Sequence, residues 1–306
     1  MRELIVSLSI CALAACAPGT GNDELRIGTA GLGGAYYPLG QGIARLITLH
    51  AEGLSMVPIV TRGAVENPRL VSSGDLELAL TNADLAFFAH RGQDPYPEPL
   101  GIAAAGALHP SVLHLIARAD GDVESFADLR GKRVAIGPAG GPTVSLARRL
   151  LQAHGMTLDD VVPSFLTYSD GFGQLGDGNV DAAFALAGYP AAAVLQTRAT
   201  QELRFIRLDG SVLSRFIDEN PYYYLIEIAA GVYDTGAPAT VLAVDNVLVV
   251  RAEETPEIVF SMVEAIYGHL VDLQRSNAIA LQIDPAQSAK LPIPLHPGAS
   301  RYFDQL

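Results

Sequence analysis

Short apolar runs alternate with amphipathic stretches along most of the 306 residues, with turn residues between them. Leu25 to Ile27 reads as a buried strand, and Gln41 to Leu49, apolar at helical spacing, as a helix. Leu54 to Thr61 predicts a strand, Val65 to Ser73 a helix with Pro68 in its first turn, Leu76 to Thr81 a strand and Asn82 to Arg91 a helix. Two strand-like runs follow, Ile102 to Leu108 and Val112 to Arg118. The scheme then repeats. Strands are expected at Lys132 to Ile136, Val161 to Tyr168, Val180 to Leu186 and Leu203 to Leu208, with helices at Val144 to His154, Phe172 to Gly178 and Ala191 to Thr200 between them. Tyr222 to Ile228 and Val241 to Val250 are further strand candidates, and Glu257 to Leu273 predicts one long helix. Such alternation implies a mainly parallel sheet covered by helices, an α/β architecture.

Two glycine-rich turns stand where a strand gives way to a helix. The first runs from Gly28 to Gly40 and the second from Gly137 to Thr143. Glycine lets the backbone turn tightly and approach a ligand, and the first N–H groups of the following helix have no internal partner. Each turn is followed at similar distance by a related motif, Gly74-Asp75-Leu76-Glu77-Leu78-Ala79-Leu80 and Gly178-Asn179-Val180-Asp181-Ala182-Ala183-Phe184. The pairing predicts two Rossmann-like lobes on one plan, joined by a hinge, with both glycine turns facing one cleft. Lobe I is expected to comprise 24–109 and 236–306, and lobe II 110–235. The chain would cross between them near Leu108 to Val112 and near Tyr233 to Thr240.

Four segments carry a family resemblance. Gly31-Leu32-Gly33-Gly34-Ala35-Tyr36-Tyr37-Pro38-Leu39-Gly40 resembles the opening signature of the TAXI family, the extracytoplasmic solute-binding subunits of TRAP transporters. Thr61-Arg62-Gly63-Ala64-Val65-Glu66-Asn67 resembles the family's T-G-G-S-x-E-N segment, departing from it at Arg62 and Ala64. Asp181 to Phe184 with Gly188-Tyr189-Pro190, and Ile293-Pro294-Leu295-His296-Pro297-Gly298-Ala299, resemble two later segments. The resemblance implies a type II periplasmic binding protein fold and a small organic acid ligand of the glutamate or 2-oxoglutarate kind. It also implies TRAP transporter membrane subunits as partners.

The start of the chain reads as a targeting segment. Residues 1–15 combine Arg2 with an apolar stretch too short to span a bilayer, which takes about 20 residues. Leu13-Ala14-Ala15-Cys16 resembles a bacterial lipobox, so Cys16 is expected to carry a lipid that anchors a periplasmic protein to the membrane, with 16–23 as a tether. An ordinary secretory signal cut near Ala12 to Ala14 is the alternative. Cys11 and Cys16 are the only cysteines, which leaves the mature domain without a disulfide, a thiol nucleophile or a cysteine metal site.

Net charge of −13 and a pI near 4.9 argue against nucleic acid and anionic membrane surfaces as partners. The seven histidines form no H-x-x-x-H or H-E-x-x-H pair, and no serine sits in a nucleophile elbow, so neither a metal site, a cofactor nor a catalytic residue is expected. Candidate ligand contacts from lobe I are Thr29, Gly31, Gly33, Gly34, Tyr36 and Tyr37 in the first turn, Arg62, and Thr81 and Asn82 at a strand-to-helix junction. From lobe II they are Gly141, Thr143, Val144 and Tyr189. Arg62 reads either as a carboxylate clamp or as a solvated loop residue. Thr81 and Asn82 read as ligand contacts or helix caps, and Asp84 as a cap. The expected protein is a monomeric binding receptor. An enzyme on the same fold would need a cleft histidine, cysteine or lysine, and only Lys132 and Lys290 supply the last. A ligand-binding module for a membrane sensor is the third reading.

Overall fold

A computed structural model describes residues 24–31 and 34–306. The expected signal segment, the tether, Cys16 and Gly33 lie outside the described residues. Among those described, ten strands form one sheet: eight lie in the order β2-β1-β3-β10-β4-β7-β5-β6, while β8 pairs with β4 and β9 with β10. The strands are β1 (Glu24–Gly28), β2 (Ser55–Ile59), β3 (Leu78–Asn82), β4 (Ile102–Arg118), β5 (Arg133–Ala135), β6 (Val162–Ser164), β7 (Ala182–Ala187), β8 (Leu203–Phe205), β9 (Tyr223–Ile228) and β10 (Ala239–Arg251). The helices are α1 (Tyr36–His50), α2 (Asn67–Ser73), α3 (Ala83–Arg91), α4 (Pro142–Ala153), α5 (Tyr168–Gly176), α6 (Ala192–Arg198), α7 (Gly210–Glu219), α8 (Ala230–Tyr233), α9 (Pro256–Tyr267), α10 (Leu270–Ser276) and α11 (Pro297–Phe303).

The strand order is symmetric about its centre. β2-β1-β3-β10 in lobe I corresponds to β6-β5-β7-β4 in lobe II. In each lobe two parallel pairs are followed by an antiparallel strand. The correspondence extends to single hydrogen bonds. The Arg26 backbone N–H and guanidinium both reach Glu77, and Arg26 Nη2 also donates to Gly74 O. Arg133 repeats this with Asp181 and Gly178 O. Gly74 and Gly178 each turn the chain with φ of 82° and 76°, a left-handed conformation that glycine adopts without steric cost. The paired sequence motifs are therefore paired structures.

β4 and β10 are the long strands that serve both lobes. β4 pairs with β10 from Ile102 to Val112 and with β7 from Val112 to Ile116. The two runs expected on either side of Leu108 to Val112 are one continuous strand, because Pro110 faces Asp245 within the ladder without breaking it. β10 pairs with β9 up to Val244 and with β3 from Asn246 onward, so its change of lobe falls at Asp245, beyond the Tyr233 to Thr240 stretch expected to cross. The ladder slips here. Asp245 faces Pro110 and Val247 faces Ala107, which sets Leu108 and His109 opposite Asn246 alone. Such a bulge bends the strand and re-aims side chains.

Three apolar clusters cover the sheet. One runs beneath α2, α3, α4 and α7 across both lobes. A second lies beneath α1, α9 and α10, and a third beneath α5 and α6. α1 begins at Tyr36, five residues before the expected Gln41, since Pro38 fits a first helical turn and Leu39, Ile43 and Ile47 continue its buried stripe. The expected Glu257 to Leu273 helix is two helices, α9 and α10, separated by Gly268 and His269. α11 packs on α9 at Gly298, where an added Cβ would meet the backbone carbonyl of Pro256 and lie 2.9 Å from the Phe260 nitrogen. Gly298→Ala is therefore expected to cost about 1–3 kcal/mol in urea unfolding. Gly42→Ala, which meets the end of the Leu273 side chain and no backbone atom, should cost less.

Candidate functional site

The bulge between β4 and β10 sets a polar hub in an otherwise apolar strand. Asn246 is fully buried. Its Oδ1 accepts from Tyr36 Oη at 2.6 Å and from Asn82 Nδ2 at 2.9 Å, and its Nδ2 donates to the His109 carbonyl at 2.7 Å and to Ser111 Oγ at 2.9 Å. One side chain thus ties the start of α1, the end of β3 and both crossing strands. A carboxamide is the side chain that can do this, having an acceptor with two lone pairs and two donors.

Lobe II brings a matching group. Thr143, buried in the first turn of α4, lies 2.5 Å from Tyr168 Oη, which also donates to Leu186 O at 3.2 Å. Burial pushes the Tyr36 hydroxyl well above its ordinary pKa, and the Asp84 carboxylate and the Tyr168 hydroxyl push it further. Groups of both lobes therefore act on one hydroxyl.

The expected site residues divide into three sets. Tyr36, Asn82 and Thr143 join the polar centres. Thr29, Thr81 and Val144 are spent on the scaffold. Thr29 Oγ1 donates to Ile59 O and Thr81 Oγ1 to Ala64 O, both at 2.7 Å, and Val144 is a core side chain whose N–H returns to Gly141 O. The N–H groups of Gly34 and Gly141 likewise bond back, to Gly31 O and Pro138 O. Gly31, Tyr37, Arg62 and Tyr189 lie on the rim. Gly31 and Arg62 are exposed, and Tyr37 Oη accepts from Gln41 at 3.5 Å. The Arg62 backbone N–H is held by Glu66 at 2.8 Å, and neighbouring Gly63 abuts Ala30 of the first glycine turn. Tyr189 O accepts from Gln282 Nε2 at 2.6 Å.

Asn82 and Asp84 do not cap α3. Asn82 occupies the cap position without a capping bond because its amide is drawn to Asn246. Asp84 is 1% exposed, and its Oδ2 accepts from Tyr223 Oη at 2.6 Å. Burial raises its carboxyl above the ordinary carboxylate range, while Tyr223 and the Leu85 N–H draw it back. Beside it, the Arg149 guanidinium lies 4.6 Å above the Phe88 ring and bonds Tyr222 Oη at 3.0 Å and Asn220 Oδ1. Tyr222 and Tyr223, expected only as strand packing, thus join α3 of lobe I to α4 and β9 of lobe II.

Sequence reasoning missed Asn246, Ser111, Tyr168 and Asn67. Asn67, fully buried, donates to Thr29 O at 2.9 Å and Leu80 O at 2.6 Å, and pins the ends of β1 and β3. A signal for Asn246 existed. Asp245-Asn246 is a polar pair inside an apolar run, and a buried polar residue in a central strand needs several partners.

A groove of about 870 Å³ lies elsewhere, between β8, α7 and β9, and is lined by Phe205, Leu213, Ile217 and Leu225 with Arg204 and Arg207. Its lining also carries Ser214, Asp218, Tyr224, Thr235 and Thr240.

The comparisons agree with this architecture. A family model for the NMT1-like family matches residues 27–305. The chain belongs to that family. The fold of this NMT1-like protein is that of the two-lobe periplasmic binding proteins. It is similar to the periplasmic aliphatic sulphonate binding protein SsuA of Escherichia coli at TM-score 0.51 and 18% identity, covering 92% of this chain and 78% of that one. It is also similar to a Listeria monocytogenes protein described as an L-cystine ABC transporter, at TM-score 0.52 and 13% identity over 86% and 97% of the two chains. A nutrient binding protein of Burkholderia cenocepacia bound to methionine matches at TM-score 0.50 and 19% identity over 84% and 98%. No described helix of the NMT1-like chain is long and apolar enough to cross a membrane.

Two outcomes follow for the hub and its neighbour. Asn246→Ala leaves the Tyr36 hydroxyl, the Asn82 amide and the His109 carbonyl without their shared partner, and should cost about 3–5 kcal/mol in denaturant unfolding. His109 is fully buried, neither ring nitrogen has a partner among the described residues, and burial lowers its pKa to about 4. Its neutral form favours the folded state, so its contribution is present above about pH 6.5 and is lost as pH falls from there toward 4. Replacing His109 by Gln should flatten that part of the stability–pH curve.

Proposed function

We propose that this protein is an extracytoplasmic solute-binding receptor that closes two lobes on a small organic acid and delivers it to a TRAP transporter. The observation that carries the reading is a pair of hydrogen-bonding centres at helix starts: Tyr36 and Asn82 on Asn246, and Thr143 on Tyr168. Neutral donors of this kind suit a carboxylate whose charge is met by dipoles, and exposed Arg62 beside the first glycine turn supplies a cation at the rim. The four TAXI-like segments support the transporter class and the glutamate-like ligand. The lipobox at Cys16 supports a membrane-anchored periplasmic location.

A binding role is supported by structural neighbours that are described as binding proteins. Delivery to an ABC-type importer is the second reading. It is favoured by the neighbour described as an L-cystine ABC transporter. The sulphonate- and methionine-binding neighbours extend the candidate ligands to sulphonates and amino acids.

The test is a thermal-shift screen of refolded protein against dicarboxylates, amino acids, sulphonates and sugars. Ligand at 100 times its Kd should add about 2.7 kcal/mol, a rise of several degrees. A dicarboxylate should give the largest shift, reduced in Thr143→Ala and Arg62→Ala. A response to neutral sugars alone would overturn the acid ligand. Co-purification with TRAP or with ABC membrane subunits separates the two modes of delivery.

A further inference from the structure

Outside the cleft, the fold gathers three metal-ligating side chains that are far apart in the sequence. His50 ends α1, His269 stands immediately before α10, and Asp272 lies in the first turn of α10. One ligand atom from each can be chosen so that all three lie within 4.8 Å of one another. The two imidazoles are face to face, with centroids 3.5 Å apart and planes 8° from parallel. His50 and Asp272 are exposed and His269 is half-buried, so an ion can reach the group from solvent.

We propose that His50, His269 and Asp272 form a surface site for one divalent transition-metal ion, with Zn²⁺ as the fitting case. Two imidazoles and one carboxylate suit Zn²⁺, Ni²⁺ or Cu²⁺, whereas Ca²⁺ and Mg²⁺ take sets built from oxygen. Three protein ligands leave a fourth position for water. Bonds of about 2.0–2.1 Å in a tetrahedral site set ligand atoms about 3.3 Å apart. The ligand atoms must therefore close up by no more than about 1.5 Å, and side-chain rotation must open the stack so that both ring lone pairs, which lie in the ring planes, converge on the ion. The backbones are already held, because Leu273 of α10 is buried against Gly42 of α1. The carbonyl end of α1, at His50, favours a cation.

One group competes for the site. Arg275 Nη1 donates to Asp272 Oδ1 at 2.8 Å, from a guanidinium that is 76% exposed. Such an exposed pair is weak, and the ion would displace it. The bound ion would tie the end of α1, the helix that starts at the cleft, to α10.

The experiment is calorimetric titration of untagged, chelator-treated protein with ZnCl₂, read in parallel by thermal shift. One equivalent should bind and raise Tm, while MgCl₂ does neither. His50→Ala, His269→Ala and Asp272→Asn should each weaken binding about tenfold or more. Arg275→Ala should bind at least as tightly as the parent protein. All four changes are at the surface, and circular dichroism checks that the variants fold. Undiminished Zn²⁺ affinity in the His50→Ala/His269→Ala double variant, or no binding by the parent protein, would overturn the site.

Discussion

The antiparallel pairing of β4 with β10 is the constraint on which the rest depends. Each lobe alone is a small parallel sheet whose inner edge would expose unpaired backbone groups. β10 closes that edge for β3 and β4 closes it for β7, and the two long strands pair with each other over Ile102 to Val112. The lobes therefore share a ladder. That ladder is irregular at two places, at Asn246 opposite Leu108 and His109 and again between Leu248 and Val249. At the first of these Asn246 is fully buried and held by partners from α1, β3 and β4.

Around that bulge the polar groups are coupled and not merely adjacent. Asn246 holds the start of α1, the end of β3 and Ser111 together, so a displacement at the glycine turn is felt on both crossing strands. On the opposite face of the sheet, Asp84, Tyr223, Arg149 and Phe88 join the lobes through one buried carboxylate and a guanidinium over an aromatic ring. Buried charge is costly unless it is bonded, so this contact favours a defined lobe orientation over a continuum of them.

Much of the fold was legible in the chain. Alternating apolar runs marked the strands, and the motifs at Gly74 and Gly178 announced two lobes because each motif closes the same turn and carries the same acidic partner for an arginine. The site was less legible, and the reason is physical. Motif residues such as Asn67, His296 and Gly298 hold the scaffold: His296 caps α11, and Gly298 lets α11 approach α9. The hub residue sits in no motif, only in a strand whose polarity breaks at Asp245-Asn246. Helix-cap reasoning failed at Asn82 because its amide is drawn to Asn246 on a remote strand, and at Asp84 because its carboxylate is shared between the adjacent Leu85 N–H and the remote Tyr223 hydroxyl. The grouping of His50 with His269 arises from tertiary packing and has no local pattern.

The shared ladder also sets an order of assembly. Strands β4 to β8 lie within one continuous stretch of chain and pair among themselves, whereas β9, like β3, pairs with β10. Lobe I begins first in the sequence, yet β3 waits for β10, which arrives after β9. Closing that long loop is slow and leaves β3 with an unpaired edge in the meantime. A chain that emerges from its N-terminus onward can thus pair β4 to β8 before β10 arrives to close both β3 and β9. During that interval its apolar edge is open to other chains, and that is when the protein most depends on being kept apart from them.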